Sequence, residues 1–141
     1  MAGFDKAAAD RLLAEVFAPW VQDLGLSVER VEADGAVLRM RFSERLCREG
    51  GVVCGQALMS LADTAMVFAV SAAGGGYRPM TTVDQTTHFL RPVAKADALA
   101  EARVVRMGRS MAFGRITITT EGDPRPAATV QTAYALLGDK A

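Results

Sequence analysis

Between residues 52 and 73 the chain carries a single charge, Asp63, in an otherwise apolar run that ends on Gly74-Gly75-Gly76. A run of that length and composition has few ways to fold in water. As a helix it makes about six turns with apolar side chains on nearly every side, so other elements must enclose it. A membrane span is the competing possibility. Against it, Gln56, Ser60, Asp63 and Thr64 interrupt the run, a central aspartate is costly in lipid, and the rest of the chain alternates as soluble strands do. A buried helix over about 55–73, stopped by the glycines, is the expectation.

The flanking segments supply the enclosure. Residues 5–18 place Leu12, Leu13, Val16 and Phe17 at helical spacing behind Asp5 as a cap, and Pro19 ends or kinks that helix. Residues 26–33 and 36–42 read as strands joined at Asp34-Gly35. The second strand sets Ala36, Leu38, Met40 and Phe42 opposite Val37, Arg39 and Arg41. Residues 43–51 form a loop. Beyond the central helix, four strands are predicted over 79–90, 97–107, 111–120 and 127–137, with turns at Arg91-Pro92, at Gly108-Arg109 and over 122–126. This order predicts one α+β domain over 1–141, an antiparallel sheet wrapped around the central helix at 54–73, with residues 1–24 as an N-terminal helical segment.

Composition narrows the partners. Lys+Arg and Asp+Glu balance at 16 each, so no overall field recruits nucleic acid or an anionic membrane. Cys47 and Cys54 form no CxxC, and with one histidine, His88, they predict no structural zinc site and no metal. The first residues lack a basic stretch followed by an apolar one. Together with free thiols, this predicts a cytoplasmic protein.

The chemistry concentrates on the central helix. At about 100° per residue, Gln56, Ser60, Asp63, Thr64 and Ser71 fall within roughly a 100° arc. That arc reads either as a solvated stripe or as the wall of a narrow site. A solvated stripe recruits Lys, Glu and Arg, and this one holds none. The approach Gly50-Gly51-Val52-Val53-Cys54-Gly55-Gln56 brings a glycine to the helix start. Unpaired amides there meet the positive end of the dipole, and the Gly55 N–H is placed to stabilise a developing oxyanion. Gly55 serves equally to ease a tight turn.

The segment Cys54-Gly55-Gln56-Ala57-Leu58-Met59-Ser60-Leu61-Ala62-Asp63-Thr64-Ala65 resembles the His-Gly-Gly…Asp helix motif of the phenylacetic-acid-degradation type (PaaI-like) hotdog acyl-CoA thioesterases. Phe89-Leu90-Arg91-Pro92 and Gly108-Arg109-Ser110 resemble the family in order and spacing, so the similarity extends over roughly residues 20–137. The resemblance implies a hotdog fold and hydrolysis of an acyl-CoA thioester without a further cofactor. Asp63 becomes nucleophile or general base, Gly55 the oxyanion donor, and Thr82 a water-placing hydroxyl. It also implies a homodimer or homotetramer with sites between subunits, Thr82 meeting Asp63 of the partner subunit. The chain departs from the motif at three positions: Cys54 stands for the family His, Gln56 for the second glycine, and Arg48 for an Asn or Gln six residues before the His.

Arg48, Cys54, Gln56, Arg91, Arg109 and Ser110 are the expected substrate and CoA contacts, with Arg106 a further candidate near a turn. Cys54 at a helix start also invites a thiolate nucleophile, although no histidine lies near it in sequence. Strand alternation puts Thr82, Asp84, Thr86 and His88 on one face and Val83, Thr87 and Phe89 on the other. Hotdog enoyl-CoA hydratases and non-catalytic acyl-CoA binders are the rival functions.

Overall fold

The computed structural model describes residues 3–138. Its centre is helix α3, Gly55–Gly74, ended by Gly75 in the left-handed conformation at φ 75°. Nine of its apolar side chains are buried, among them Leu61, Met66 and Phe68 at 0% exposure. Burying each of these larger side chains contributes about 1.5–3 kcal/mol. By length and composition α3 would suffice to cross a membrane, but most of it is enclosed by the rest of the chain. The enclosure accounts for the apolar run.

The sheet is six-stranded and antiparallel, in the order β1-β2-β6-β7-β8-β5. Its members are β1 (Leu26–Glu32), β2 (Gly35–Met40), β5 (Met80–Phe89), β6 (Ala98–Met107), β7 (Met111–Thr120) and β8 (Asp123–Leu136); β3 (Cys47–Arg48) and β4 (Val52–Val53) pair separately before the helix. Small side chains on the inward faces let α3 approach closely. Ala98, Ala100, Ala102 and Ala112 are fully buried or nearly so, and Gly114 leaves the room that Met66 fills. Helix α1 (Lys6–Glu15) packs on β1, capped by Asp5, whose side chain accepts from the Ala8 N–H at 2.8 Å. Phe17 stacks on Phe68 at 5.7 Å, closing one flank of the core.

Outside the core, Arg39 ties β2 to two turns. It bonds Asp97 at 2.8 Å and Glu121 at 2.7 Å, and also Glu29. Asp97 accepts in addition from the Phe42 N–H at 2.7 Å. That backbone donor, followed by Arg39, holds the Asp97 carboxyl below its ordinary range.

The architecture is the α+β hotdog arrangement, a long apolar helix wrapped by an antiparallel sheet. Three local expectations change. Pro19 opens a short second helix, α2 (Pro19–Gln22), because proline suits a first helical position. The loop over 43–51 contains a 3-10 turn and the β3–β4 pair. The segment 123–126 is strand, with the hairpin turn at Glu121-Gly122. Its prolines are accommodated because the β7 pairing jumps from Ile118↔Ala128 to Thr120↔Asp123 and leaves them out of that ladder.

Candidate active site

Asp63 lies on α3, eight residues past Gly55, and is half-buried. Two hydroxyls from neighbouring strands converge on it. Thr82 Oγ1 on β5 donates to Asp63 Oδ1 at 2.7 Å. The Tyr134 hydroxyl on β8 bonds the same Oδ1 and lies 2.6 Å from the Asp63 carbonyl oxygen. Thr82 and Tyr134 are direct partners across the β5–β8 ladder, so both side chains leave the same face of the sheet toward α3. The contact between Thr82 and Asp63 is thus made within one chain, where a contact between subunits was expected. A cavity of about 390 Å³ borders the carboxylate, lined by Gln56, Met59, Ser60, Asp63, Thr82 and Gln85.

A β-bulge sets this geometry. The pairing steps from Thr82↔Tyr134 to Asp84↔Ala133, so Val83 is an extra residue on β5. The bulge reverses the alternation beyond it. Gln85 therefore faces α3 with Thr82, donating to the Met59 carbonyl at 3.1 Å, and Phe89 reaches the helix start. Thr86 and His88 line a small cavity of about 150 Å³ with Arg115, Thr129, Val130 and Gln131, away from Asp63. The expected common face of Thr82, Asp84, Thr86 and His88 is corrected for this reason.

The polar arc on α3 also divides. Gln56, Ser60 and Asp63 line the cavity. Thr64 and Ser71 are buried, and their hydroxyls bond the Ser60 and Val67 carbonyls of their own helix at 2.8 and 2.7 Å. Those two side chains satisfy themselves locally and do not face the cavity.

Gly55 opens α3 with Cys54 as its N-cap, and no side chain caps the helix start. This end borders a second cavity, of about 540 Å³, lined by Arg48, Gly55, Leu58, Phe89, Leu90 and Arg91 among others. Arg48 bonds the Glu49 carbonyl at 2.9 Å, and Arg91 bonds the Pro126 carbonyl at 2.7 Å. Both guanidinium groups keep further donors for an anion. Cys54 is half-buried against the core. Eight residues of helix separate Gly55 from Asp63 by about 12 Å along the axis. Within one chain the amide and the carboxylate open into different cavities.

Arg109 and Ser110 stand elsewhere. The β6–β7 hairpin that holds them follows Met107, whose sulfur packs at the Gly74 end of α3. One chain therefore does not bring them to Gly55. Among the described residues no three His, Cys, Asp or Glu side chains gather to hold a metal. Sequence reasoning missed two contributors: Tyr134, enclosed in Ala133-Tyr134-Ala135, and Gln85.

Residues 50–127 match the Thioesterase superfamily model. A Halobacterium salinarum protein provisionally named an esterase is 32% identical, over 94% of this chain and 92% of its own. A solved structure from Silicibacter, provisionally named a thioesterase, superposes with a TM-score of 0.85 at 30% identity, covering 96% of this chain and 93% of its own. A mutant of the phenylacetic acid degradation protein PaaI from Thermus thermophilus gives 0.74 at 26% identity, over 85% of this chain and 100% of its own.

Proposed function

Because the chain belongs to the thioesterase superfamily, we propose that it hydrolyses acyl-CoA thioesters, with Asp63 as the reacting carboxylate. The observation that carries this reading is the setting of Asp63. Its carboxylate borders a cavity and is tied down through one oxygen by side chains of two strands.

Acting as base, Asp63 takes a proton from water as the water oxygen bonds to the thioester carbon, and the carbonyl electron pair moves onto oxygen. The Gly55 N–H, at the positive end of α3, donates to that oxyanion. Collapse restores the carbonyl and expels the CoA thiolate, which receives the proton held by Asp63. Attack by Asp63 itself on the thioester carbon would break the C–S bond, expel the CoA thiolate and leave a mixed anhydride that water then cleaves to the free acid and the Asp63 carboxylate. Label from water that enters the Asp63 carboxyl group in a single turnover identifies the anhydride route, cleaved at the aspartyl carbon; the base route places label in the product acid alone.

A site of this kind needs two copies, since one chain keeps Gly55 and Asp63 in separate cavities. β5 ends the sheet, so its outer edge is open to pairing. Its Thr82 end sits on Asp63 and its Phe89 end sits on Gly55. Two-fold antiparallel pairing of β5 about its middle would set the Phe89 end of one copy beside the Thr82 end of the other. Gly55, Arg48 and Arg91 of one copy then face Asp63 of its mate, with the arginines toward the CoA phosphates. The reaction as written uses no cofactor beyond the CoA thioester.

A panel of acyl-CoAs read with a thiol-detecting reagent tests the assignment. Release of CoA that Asp63→Asn abolishes is the expected result. Tight binding without release, or water addition to an enoyl-CoA, would overturn it.

A further inference from the structure

We propose that Tyr134 is a positioning residue for this reaction, holding Asp63 by Oδ1 so that Oδ2 is presented to the cavity. The inference rests on the reading of Asp63 as the reacting carboxylate.

Tyr134 is 2% exposed, with Ala112 opposite it on β7 and Thr82 opposite it on β5. A phenol enclosed to that degree requires a partner for its hydroxyl. Both of its acceptors belong to Asp63, one on the side chain and one on the backbone. A single rigid donor thereby fixes the carboxylate relative to its own helix turn, which limits rotation about the Cα–Cβ bond. Thr82 reaches the same oxygen from the adjacent strand. Among the described residues no hydrogen bond reaches Oδ2, and the cavity begins at this residue. The two oxygens are therefore inequivalent: Oδ1 is anchored, and Oδ2 keeps its lone pairs for water or thioester.

The phenol is also a constant donor. Burial, then the charge of Asp63 and their hydrogen bond, push Tyr134 far above the ordinary tyrosine range, so it stays protonated at every working pH.

The test uses Tyr134→Phe, which keeps the ring in the core and removes only the hydroxyl. Expected are a kcat lowered about 10-fold or more and a KM within about 2-fold of the parent. A purely structural hydroxyl would alter the melting temperature and leave kcat at the parent value, and that result overturns the proposal. If Asp63→Asn abolishes turnover while Tyr134→Phe leaves kcat unchanged, only the role of Tyr134 falls. If Asp63→Asn is fully active, the reading of Asp63 falls and this inference with it. Should Tyr134→Phe fail to fold, fluorotyrosine in place of tyrosine keeps the hydroxyl and strengthens it as a donor; Tyr77 is the only other tyrosine. The kcat should then depart from the parent value with KM held, and an unchanged kcat refutes the role.

Discussion

The ring of Phe89 lies against the backbone of Gly55, so closely that a β-carbon at position 55 would stand 3.1 Å from Phe89 Cζ. Gly55→Ala therefore forces the ring to shift. Phe89 is 50% exposed and can give way, so stability should change by no more than about 1 kcal/mol. The methyl group also crowds the amide assigned as oxyanion donor, and kcat should fall about 10-fold or more. Adding Phe89→Leu to Gly55→Ala should recover part of the loss. Steady-state kinetics beside thermal melts would check both statements.

Asp63→Asn keeps an acceptor for Thr82 and Tyr134 but loses the base. Hydrolysis should drop at least ~100-fold with the fold intact. Thr82→Val removes one of the two hydroxyls on Oδ1 and should cost about 10-fold in kcat, whereas Thr82→Ser should stay near the parent. Turnover of a saturating acyl-CoA, with circular dichroism as the folding control, distinguishes these outcomes.

Arg48 and Arg91 border the cavity at the Gly55 end. If they meet the CoA phosphates, Arg48→Ala or Arg91→Ala should raise KM for acyl-CoA about 10-fold, the equivalent of about 1.4 kcal/mol. The same variants should leave KM for a thioester of N-acetylcysteamine, which has no phosphates, nearly unchanged. A parallel rise for both substrates would show that the arginines act on the fold or the acyl group.

Gly114 faces Met66 across the core, and a β-carbon there would run into the end of the Met66 side chain and stand 3.0 Å from the Arg103 carbonyl oxygen. Met66 is fully buried and has nowhere open to move. Gly114→Ala should destabilise the protein by about 1–3 kcal/mol, seen as a lower denaturation midpoint in urea.

Asp97 carries a pH dependence of stability. Its folded carboxyl titrates below the ordinary value because the Phe42 N–H, then Arg39, favour the charged form. The associated stability is fully present above about pH 4 and is lost as pH falls through the depressed folded value. Asp97→Asn should therefore cost about 1 kcal/mol at neutral pH. The difference from the parent should shrink steadily below pH 4. Urea titrations across that range would reveal a constant gap if another group were responsible.

Much of the fold was legible because α3 and β2 state their environments directly. A helix with one charge must be enclosed, and Ala36, Leu38 and Met40 are buried as their alternation requires. Asp63 and Gly55 were legible as candidates for the same reason, a lone carboxylate and a glycine at the helix start. The rest depends on relations that spacing does not encode. The bulge at Val83 does not show in the spacing, so Phe89 was set on the face opposite Thr82 and Gln85 went unassigned. Tyr134 is 71 positions from Asp63 and meets it only because β8 lies beside β5. Thr64 and Ser71 looked like site walls because a helical projection does not show a hydroxyl folding back onto its own carbonyl.

The extra residue in β5 also bears on how the strand can change in length. A chain lacking Val83 would pass from Thr82 to Asp84 with unbroken pairing, and Met80, Thr82, Gln85, Thr87 and Phe89 would still point toward the helix. Deletion at that point is thus far gentler on the site than most substitutions within it. What the shorter strand would lose is the local bend and added twist of the sheet margin.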